Sequence, residues 1–358
     1  MAVTATGLPA SGRAADIDYA STGVDLKDDP PVNSGFSFPA EWKPHERTLM
    51  QYLPAQNWHG RQLDGARGEW AAIANAISEF EPVTMAVHPG DLADARQRLA
   101  SGIDLVEFPL NDGWSRDSGP MILTNGAGER CVAGFEFNGW GKKFPPYHDD
   151  ALAKARFAKH LGLPLHPAGM VLEGGAVAVD GEGTLITTDE CLLNKNRNPR
   201  KSKAEIETIL KDWLGVNKVI WIPRGLTPDP ITDGHIDGMA AFAAPGVVLL
   251  HMSQFNDDAN YGITRRAKEI LQNARDAKDR KLEIVEIPLT SRHVVHMNFY
   301  VCNGAVIVPI AGKTAEDDVP LAILREAFPK RRVVPIGGRA LASGGGGIHC
   351  ITQQVPAA

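Results

Sequence analysis

Apolar positions along this chain switch between helical and strand spacing, and the switching recurs. Ordered structure is expected from Phe36, with Pro39-Ala-Glu-Trp-Lys-Pro-His45 leading into a strand over 48–52. Trp70, Ile73 and Ile77 fall on one helical face and predict a helix over 65–80. A strand over 82–87, a helix over 91–99 and a strand over 104–108 follow. Beyond Pro109 one unit repeats: two strands joined by a tight turn, a helix, then a further strand. The first copy has a hairpin over 120–137 turning at Asn125-Gly126 and a helix over 149–160. The second has a hairpin over 171–188 turning at Asp180-Gly181, a helix over 203–214 and a strand over 218–222. That helix opens on Ser202-x-x-Glu205, a capping box, and stops before Gly215. The third spans a hairpin over 235–252, a helix over 261–277 and a strand over 282–287. In the fourth, a hairpin over 294–309 turns at Asn303-Gly304, a helix covers 317–328 and a strand covers 332–335. A fifth copy starts at Cys350 and has to be completed by the N-terminal strand and helix.

Each hairpin opens on a polar residue: Asp117, Glu173, His235, Asn298 and Cys350, spaced 56, 62, 63 and 52 residues apart. A closed ring of about five such units would carry these side chains to one axis. The last of them follows four glycines, Gly344 to Gly347, in Ser343-Gly-Gly-Gly-Gly-Ile-His-Cys-Ile-Thr-Gln-Gln354. Glycine leaves the backbone bare, so a substrate or a loop can approach closely. If 348–352 is extended, Cys350 faces one side and His349 the other, which leaves His349 out of the site.

Composition narrows the class without naming it. The 358 residues are 43% hydrophobic and 22% charged, as in a globular protein, and residues 36–358 read as one domain. Residues 1–35, rich in Ala, Ser, Thr, Asp and Pro, are expected to be a disordered leader with no secretion-signal pattern. The net charge of −6 with no basic run argues against nucleic acid or an anionic membrane as partner. Four scattered cysteines without C-x-x-C suit a reducing, cytoplasmic setting and make neither a disulfide framework nor a structural zinc site.

A thiol, an imidazole and three carboxylates (Asp117, Glu173, Asp237) near one axis admit several chemistries. Zinc is one, but the candidate ligands are scattered singly, with no paired spacing. A Cys-His hydrolase fits better, because a thiolate is the reactive form. Carboxylates facing a thiolate oppose its ionisation unless a cation lies between them. A guanidinium is such a cation, and its N–H pairs match carboxylates in bidentate fashion.

Eight stretches in order carry a resemblance: Pro39 to His45, Asn111-Asp-Gly-Trp-Ser-Arg-Asp-Ser-Gly-Pro120, Phe137-Asn-Gly-Trp-Gly141, Leu172-Glu-Gly-Gly175, Leu193-Asn-Lys-Asn-Arg-Asn-Pro199, Gly234-His-Ile-Asp237, Asn298-Phe-Tyr, and Gly345 to Gln354. Over 36–355 the chain resembles the agmatine deiminases, grouped with the bacterial peptidylarginine deiminases in the guanidino-group-modifying superfamily. That resemblance implies an α/β fold, a five-fold pseudosymmetric α/β propeller of ββαβ modules (pentein). It implies Cys350 as nucleophile, His235 as general acid/base, Asp117 and Asp237 as the guanidinium pair, and Glu173 as the carboxylate beside the histidine. Trp114 and Trp140 fall where the family has aromatic walls, core packing being the alternative. Asn298 is a substrate contact or a structural hydrogen bond, and Arg116 and Arg197 are expected to pair with loop carboxylates or carbonyls.

The chain departs from the family at Asp233-Gly-His-Ile-Asp-Gly238, where Asn-Gly-His-Val-Asp-Asn is common, and at His296-Met297, where the family reads Tyr-Val. Both departures are expected to touch the pocket for the far end of the substrate. The implied activity is hydrolysis of a small cationic guanidino compound, agmatine first, to a ureido product and ammonia, with no metal or organic cofactor. Another guanidino substrate, such as peptidyl-arginine, or silent polyamine binding are the alternatives, and a homo-oligomer is compatible with the sequence.

Overall fold

The computed structural model describes residues 17–55 and 60–358. Its strands fall into five sheets of one plan: an antiparallel pair whose second strand continues, through a helix, into a parallel third. A parallel neighbour cannot be reached by a tight turn, so each unit needs its crossover helix. The chain enters through β1 (His45–Gln51), passes the helix Gly60–Ser78 into β2 (Val83–Val87), and passes the helix Leu92–Arg98 into β3 (Asp104–Glu107). The first complete unit is β4 (Met121–Thr124), β5 (Arg130–Glu136), the helix His148–Leu161 and β6 (Leu165–Val171). Val171, expected to open the next hairpin, ends this closing strand instead.

Next come β7 (Val177–Val179), β8 (Thr184–Thr188), the helix Lys203–Leu214 and β9 (Lys218–Ile222). The predicted helix and closing strand of this unit match residue for residue. Its capping box forms: the Ser202 side chain accepts from the Glu205 backbone, and the Glu205 side chain accepts from the Ser202 backbone. Then follow β10 (Ala240–Ala244), β11 (Val247–Met252), the helix Asn260–Asn273 and β12 (Glu283–Pro288). The last full unit is β13 (Tyr300–Cys302), β14 (Ala305–Ile310), the helix Thr314–Ala327 and β15 (Arg332–Gly337). The chain closes with β16 (Gln353–Pro356) antiparallel to β1, pairing Thr48 with Gln354. That pairing completes the fifth unit from both chain ends, as the repeat requires, and anchors the segment that carries Cys350.

The leader expectation needs correction over 17–35. Tyr19–Thr22 forms a 3-10 turn, and Tyr19 and Val24 are buried against the helix His148–Leu161. The Lys27 amide donates to the Leu165 carbonyl at 2.9 Å and the Leu165 amide to Asp25 at 2.8 Å, so this segment extends the edge of β6. Polar composition does not prevent ordering when an unpaired sheet edge offers backbone partners. The rest of that expectation, residues 1–16, lies outside the described residues. Among the described residues no helix is long and apolar enough to cross a membrane.

Candidate active site

The polar residues that open the hairpins converge. Asp117, Glu173, His235, Asp237, Asn298 and Cys350 are all buried. Asp117 lies on the short helix Ser115–Ser118, Glu173 between β6 and β7, and His235 and Asp237 ahead of β10. Gly175 sits among them: a Cβ there would lie 2.6 Å from His235 Nδ1, 2.8 Å from Asp237 Oδ2 and 3.1 Å from Asp117 Oδ1. The Gly175 amide donates to Asp117 Oδ1 at 3.0 Å, and its carbonyl accepts from the Asp237 amide at 3.1 Å. Glycine is therefore required here by space, since any side chain would occupy the gap between the three functional groups.

Cys350 does not lie on an extended segment. His349–Ile351 is a 3-10 turn, and it ends in extended backbone only at Thr352. Asn298 braces that turn: its Oδ1 accepts from the Cys350 amide at 3.3 Å and from the Cys350 thiol at 3.4 Å. Of its two expected uses, the structural hydrogen bond is the one seen. The thiol also reaches Asp237 Oδ2 at 3.5 Å. Because the segment turns, His349 faces the site: its Nδ1 lies 3.0 Å from Asp237 Oδ2 and its Nε2 2.8 Å from Glu41 Oε1. Leaving it out on the strength of strand alternation was incorrect, because alternation holds only for extended backbone.

Among the described residues neither ring nitrogen of His235 has a hydrogen-bond partner, and Asp117 and Glu173 are each 3.9 Å away. Burial opposes its charge, yet Asp117, Cys191 and Glu173 together raise its pKa well above the ordinary histidine value. Burial raises Asp117, helped by Glu173 and Asp237 and opposed by His235. Glu173 is lowered despite burial, chiefly by Arg197, whose Nε donates to Oε1 at 2.6 Å. Burial and the Asp237 and Asp117 carboxylates push the Cys350 thiol well above the usual thiol range. Without a cation between them, thiol and carboxylates are mutually unfavourable as anions.

Cys191 lies close by: Glu173, Cys191 and His235 each offer a ligand atom within 4.8 Å of the others. The Arg197 guanidinium on the same Glu173 sets a positive charge against a metal ion there.

A cleft of about 360 Å³ opens onto Cys350, lined among others by Asp112, Trp114, Asp117, Trp140, Phe144, Ile231 and Thr232. Trp114 packs edge-on against Trp70 at 5.4 Å and covers Gly346, where a Cβ would meet its ring at 2.2 Å. Trp140 has φ 52 and ψ 51 within Gly139–Lys142, four residues in the left-handed region. That conformation costs a non-glycine residue about 1–2 kcal/mol. It aims the indole N–H at Asp117 Oδ2, 2.8 Å away. Both tryptophans thus belong to the wall as well as to the core. Asp112 was missed from sequence, although it stands two residues before Trp114; burial raises its pKa to about 6.

The departures lie elsewhere than expected. His296 is buried and bonded to Asp317 at 2.8 Å, and Met297 lines a second cleft behind the site, not the cleft of Trp114 and Trp140. Asp233 takes φ 60, a conformation Asn and Asp tolerate, and its carboxylate binds Lys143, Asn196 and Arg197. Arg197 therefore joins Asp233 to Glu173, and Arg116 bonds Glu41, Gln354 and the His349 carbonyl, so both arginines pair as expected.

Fold and site together define a protein of the guanidino-modifying type, with mixed α/β sheets around a buried thiol, an imidazole and carboxylates. The chain belongs to the Porphyromonas-type peptidyl-arginine deiminase family, whose pattern matches residues 37–356. It is 39% identical over 360 residues to the agmatine deiminase of Pseudomonas aeruginosa (strain LESB58), covering 91% of this chain and 97% of that one. It superposes on the agmatine deiminase of Enterococcus faecalis with a TM-score of 0.89 at 30% identity, over 93% of this chain and 99% of the other. The C. jejuni agmatine deiminase gives 0.77 at 26% identity, over 89% and 95%.

Proposed function

We propose that this chain hydrolyses agmatine to N-carbamoylputrescine and ammonia. The observation that carries the reading is a buried thiol facing two carboxylates, an arrangement that becomes favourable when a guanidinium lies between them. In the free enzyme the thiol is protonated; a bound guanidinium on Asp117 and Asp237 stabilises the thiolate, and the thiol proton passes to solvent. The Cys350 thiolate then attacks the guanidinium carbon. Protonated His235 gives its proton to one amino group, the C–N bond breaks, and ammonia leaves a cationic thiouronium on Cys350. Neutral His235 takes a proton from water as the water oxygen adds to the same carbon. Collapse releases the Cys350 thiolate and the ureido product, and the extra proton leaves with ammonia as ammonium. Glu173, held by Arg197, keeps a negative charge beside His235 and supports its protonated form.

The cleft supports the choice of substrate. Trp114, Trp140 and Phe144 suit a four-carbon chain, and Asp112 suits an ammonium at its far end. The same reading places the five units as a five-fold ββαβ propeller whose axis passes through the site, in a cytoplasmic enzyme that acts without nucleic acid as partner. A panel of guanidino compounds scored for ammonia tests it. Agmatine is expected to be turned over fastest, and turnover of another guanidine with none of agmatine would refute it.

A further inference from the structure

Asp237 is asked to do two things at once. Its Oδ2 takes the Cys350 thiol at 3.5 Å and His349 Nδ1 at 3.0 Å, while its backbone amide is fixed on the Gly175 carbonyl at 3.1 Å. No hydrogen bond between described residues engages Oδ1. Beyond His349 the chain of contacts continues to Glu41 at 2.8 Å, and Arg116 closes it, donating to Glu41 Oε1 and to the His349 carbonyl at 3.3 Å each. The Glu41 side chain is 25% exposed, so this series runs from the thiol to a partly solvated carboxylate in the cleft behind the site.

We propose that His349 is a positioning residue for the reaction: bridging Asp237 and Glu41 through its two ring nitrogens, it fixes Asp237 with Oδ2 toward Cys350 and Oδ1 free for the guanidinium. The inference rests on the deiminase reading of the site. With a carboxylate on each ring nitrogen, the neutral ring can donate to only one, so the arrangement selects the imidazolium, which donates to both. The charged groups facing His349 are Glu41 and Asp237, which favour its charge, and Arg116, which opposes it. Those facing Asp237 are His349, His235 and the Cys350 thiol, which favour its charge, and Asp117, which opposes it; against the cost of burial the balance holds it below the ordinary carboxylate value. Glu41, also near His45, is held down to about 2 by His349 and Arg116 against the cost of its partial desolvation. Asp117, the other carboxylate of the pair, has only the more distant His235, at 3.9 Å, as an imidazole partner, and burial raises it. The two carboxylates that receive the guanidinium are thus set apart: His349 favours the ionised form of one, and burial opposes it in the other.

The sign follows from that difference. Of the two guanidinium carboxylates, only Asp117 titrates on the acid side of kcat/KM in the wild type, because Asp237 is already an anion. Removing the imidazolium lets burial raise Asp237, so two carboxylates titrate and the acid limb steepens and moves to higher pH.

The test is the pH profile of kcat/KM for agmatine in the wild type, His349→Gln and Glu41→Gln, with thermal melts alongside. His349→Gln is expected to shift the acid limb upward by about one pH unit, costing about tenfold on the acid side, and to recover most activity at alkaline pH. Glu41→Gln keeps a hydrogen-bond acceptor for the ring but removes the charge, and is expected to shift the limb the same way by less. Loss of activity that is uniform across pH, or unchanged profiles in both variants, would overturn the assignment while leaving the deiminase reading standing. A wild type that releases no ammonia from agmatine would overturn both.

Discussion

At the scale of single residues, the site is organised by charges that cannot coexist without a cation. Asp117 and Asp237 are buried, and truncating one partner of a buried charge pair costs about 3–5 kcal/mol. Asp117→Asn and Asp237→Asn should therefore each lower kcat/KM for agmatine by about 10²–10⁴. A variant that stays within about threefold of the parent does not hold a guanidinium partner. Asp112 adds a pH signature of its own. With its pKa raised to about 6 by burial, it is neutral below that pH and ionised above it. KM for agmatine should fall as pH rises through about 6, and Asp112→Asn should remove that limb while leaving kcat nearly unchanged. If Asp112→Asn keeps the parent's KM profile, Asp112 is not the receptor for the ammonium.

At the scale of elements, two glycines separate packing from propensity. Gly346 lies under Trp114, where a Cβ would meet the ring at 2.2 Å. Gly68 lies exposed in the helix Gly60–Ser78 with nothing within 4 Å of a Cβ. Gly346→Ala should displace the indole wall and raise KM at least tenfold, or about 1.4 kcal/mol. Gly68→Ala should leave kinetics alone and stabilise the fold by about 0.5–1 kcal/mol, read as a higher Tm. Most of the element order was legible in the sequence, because each unit carries its own punctuation: Asn125-Gly126, Asn303-Gly304, the Ser202 capping box. The ends were less so. The 3-10 turn at His349–Ile351 looks extended in sequence because Ile348, Cys350 and Thr352 alternate as a strand would, and the bonds to Asn298 that brace the turn come from a residue 52 positions away. The left-handed stretch Gly139–Lys142 had a visible sign, glycines on both sides of Trp140, but not the Asp117 contact that explains it. Residues 17–35 look disordered by composition, and the free edge of β6, with the burial of Tyr19 and Val24, orders them.

At the scale of the whole molecule, five units from distant parts of the chain each deliver one polar side chain to a common site, with β16 on β1 joining the two ends. The spacing of Asp117, Glu173, His235, Asn298 and Cys350 is what made that convergence readable. Selectivity belongs to this scale, because it depends on which charges the assembled cleft collects. Among the described residues lining it there are two carboxylates, Asp112 and Asp117, and no arginine, lysine or histidine. Free arginine would bring a carboxylate into that cleft with no cation to receive it, at a substantial desolvation cost. Agmatine should be preferred to arginine by at least about a hundredfold in kcat/KM, roughly 2.7 kcal/mol. Comparable rates on the two substrates would show that the cleft reads its ligand by some other contact.

In the proposed reaction the guanidino carbon becomes bonded to the sulfur of Cys350. The most direct test of that bond is rapid acid quenching of the enzyme during agmatine turnover, followed by mass analysis of the peptides, with Cys350→Ser in parallel. A thiouronium adduct is expected on the peptide containing Cys350, with no adduct on Cys131, Cys191 or Cys302 and a folded but inactive serine variant. Substantial ammonia release by Cys350→Ser, or an adduct on another cysteine, would contradict the proposed reaction.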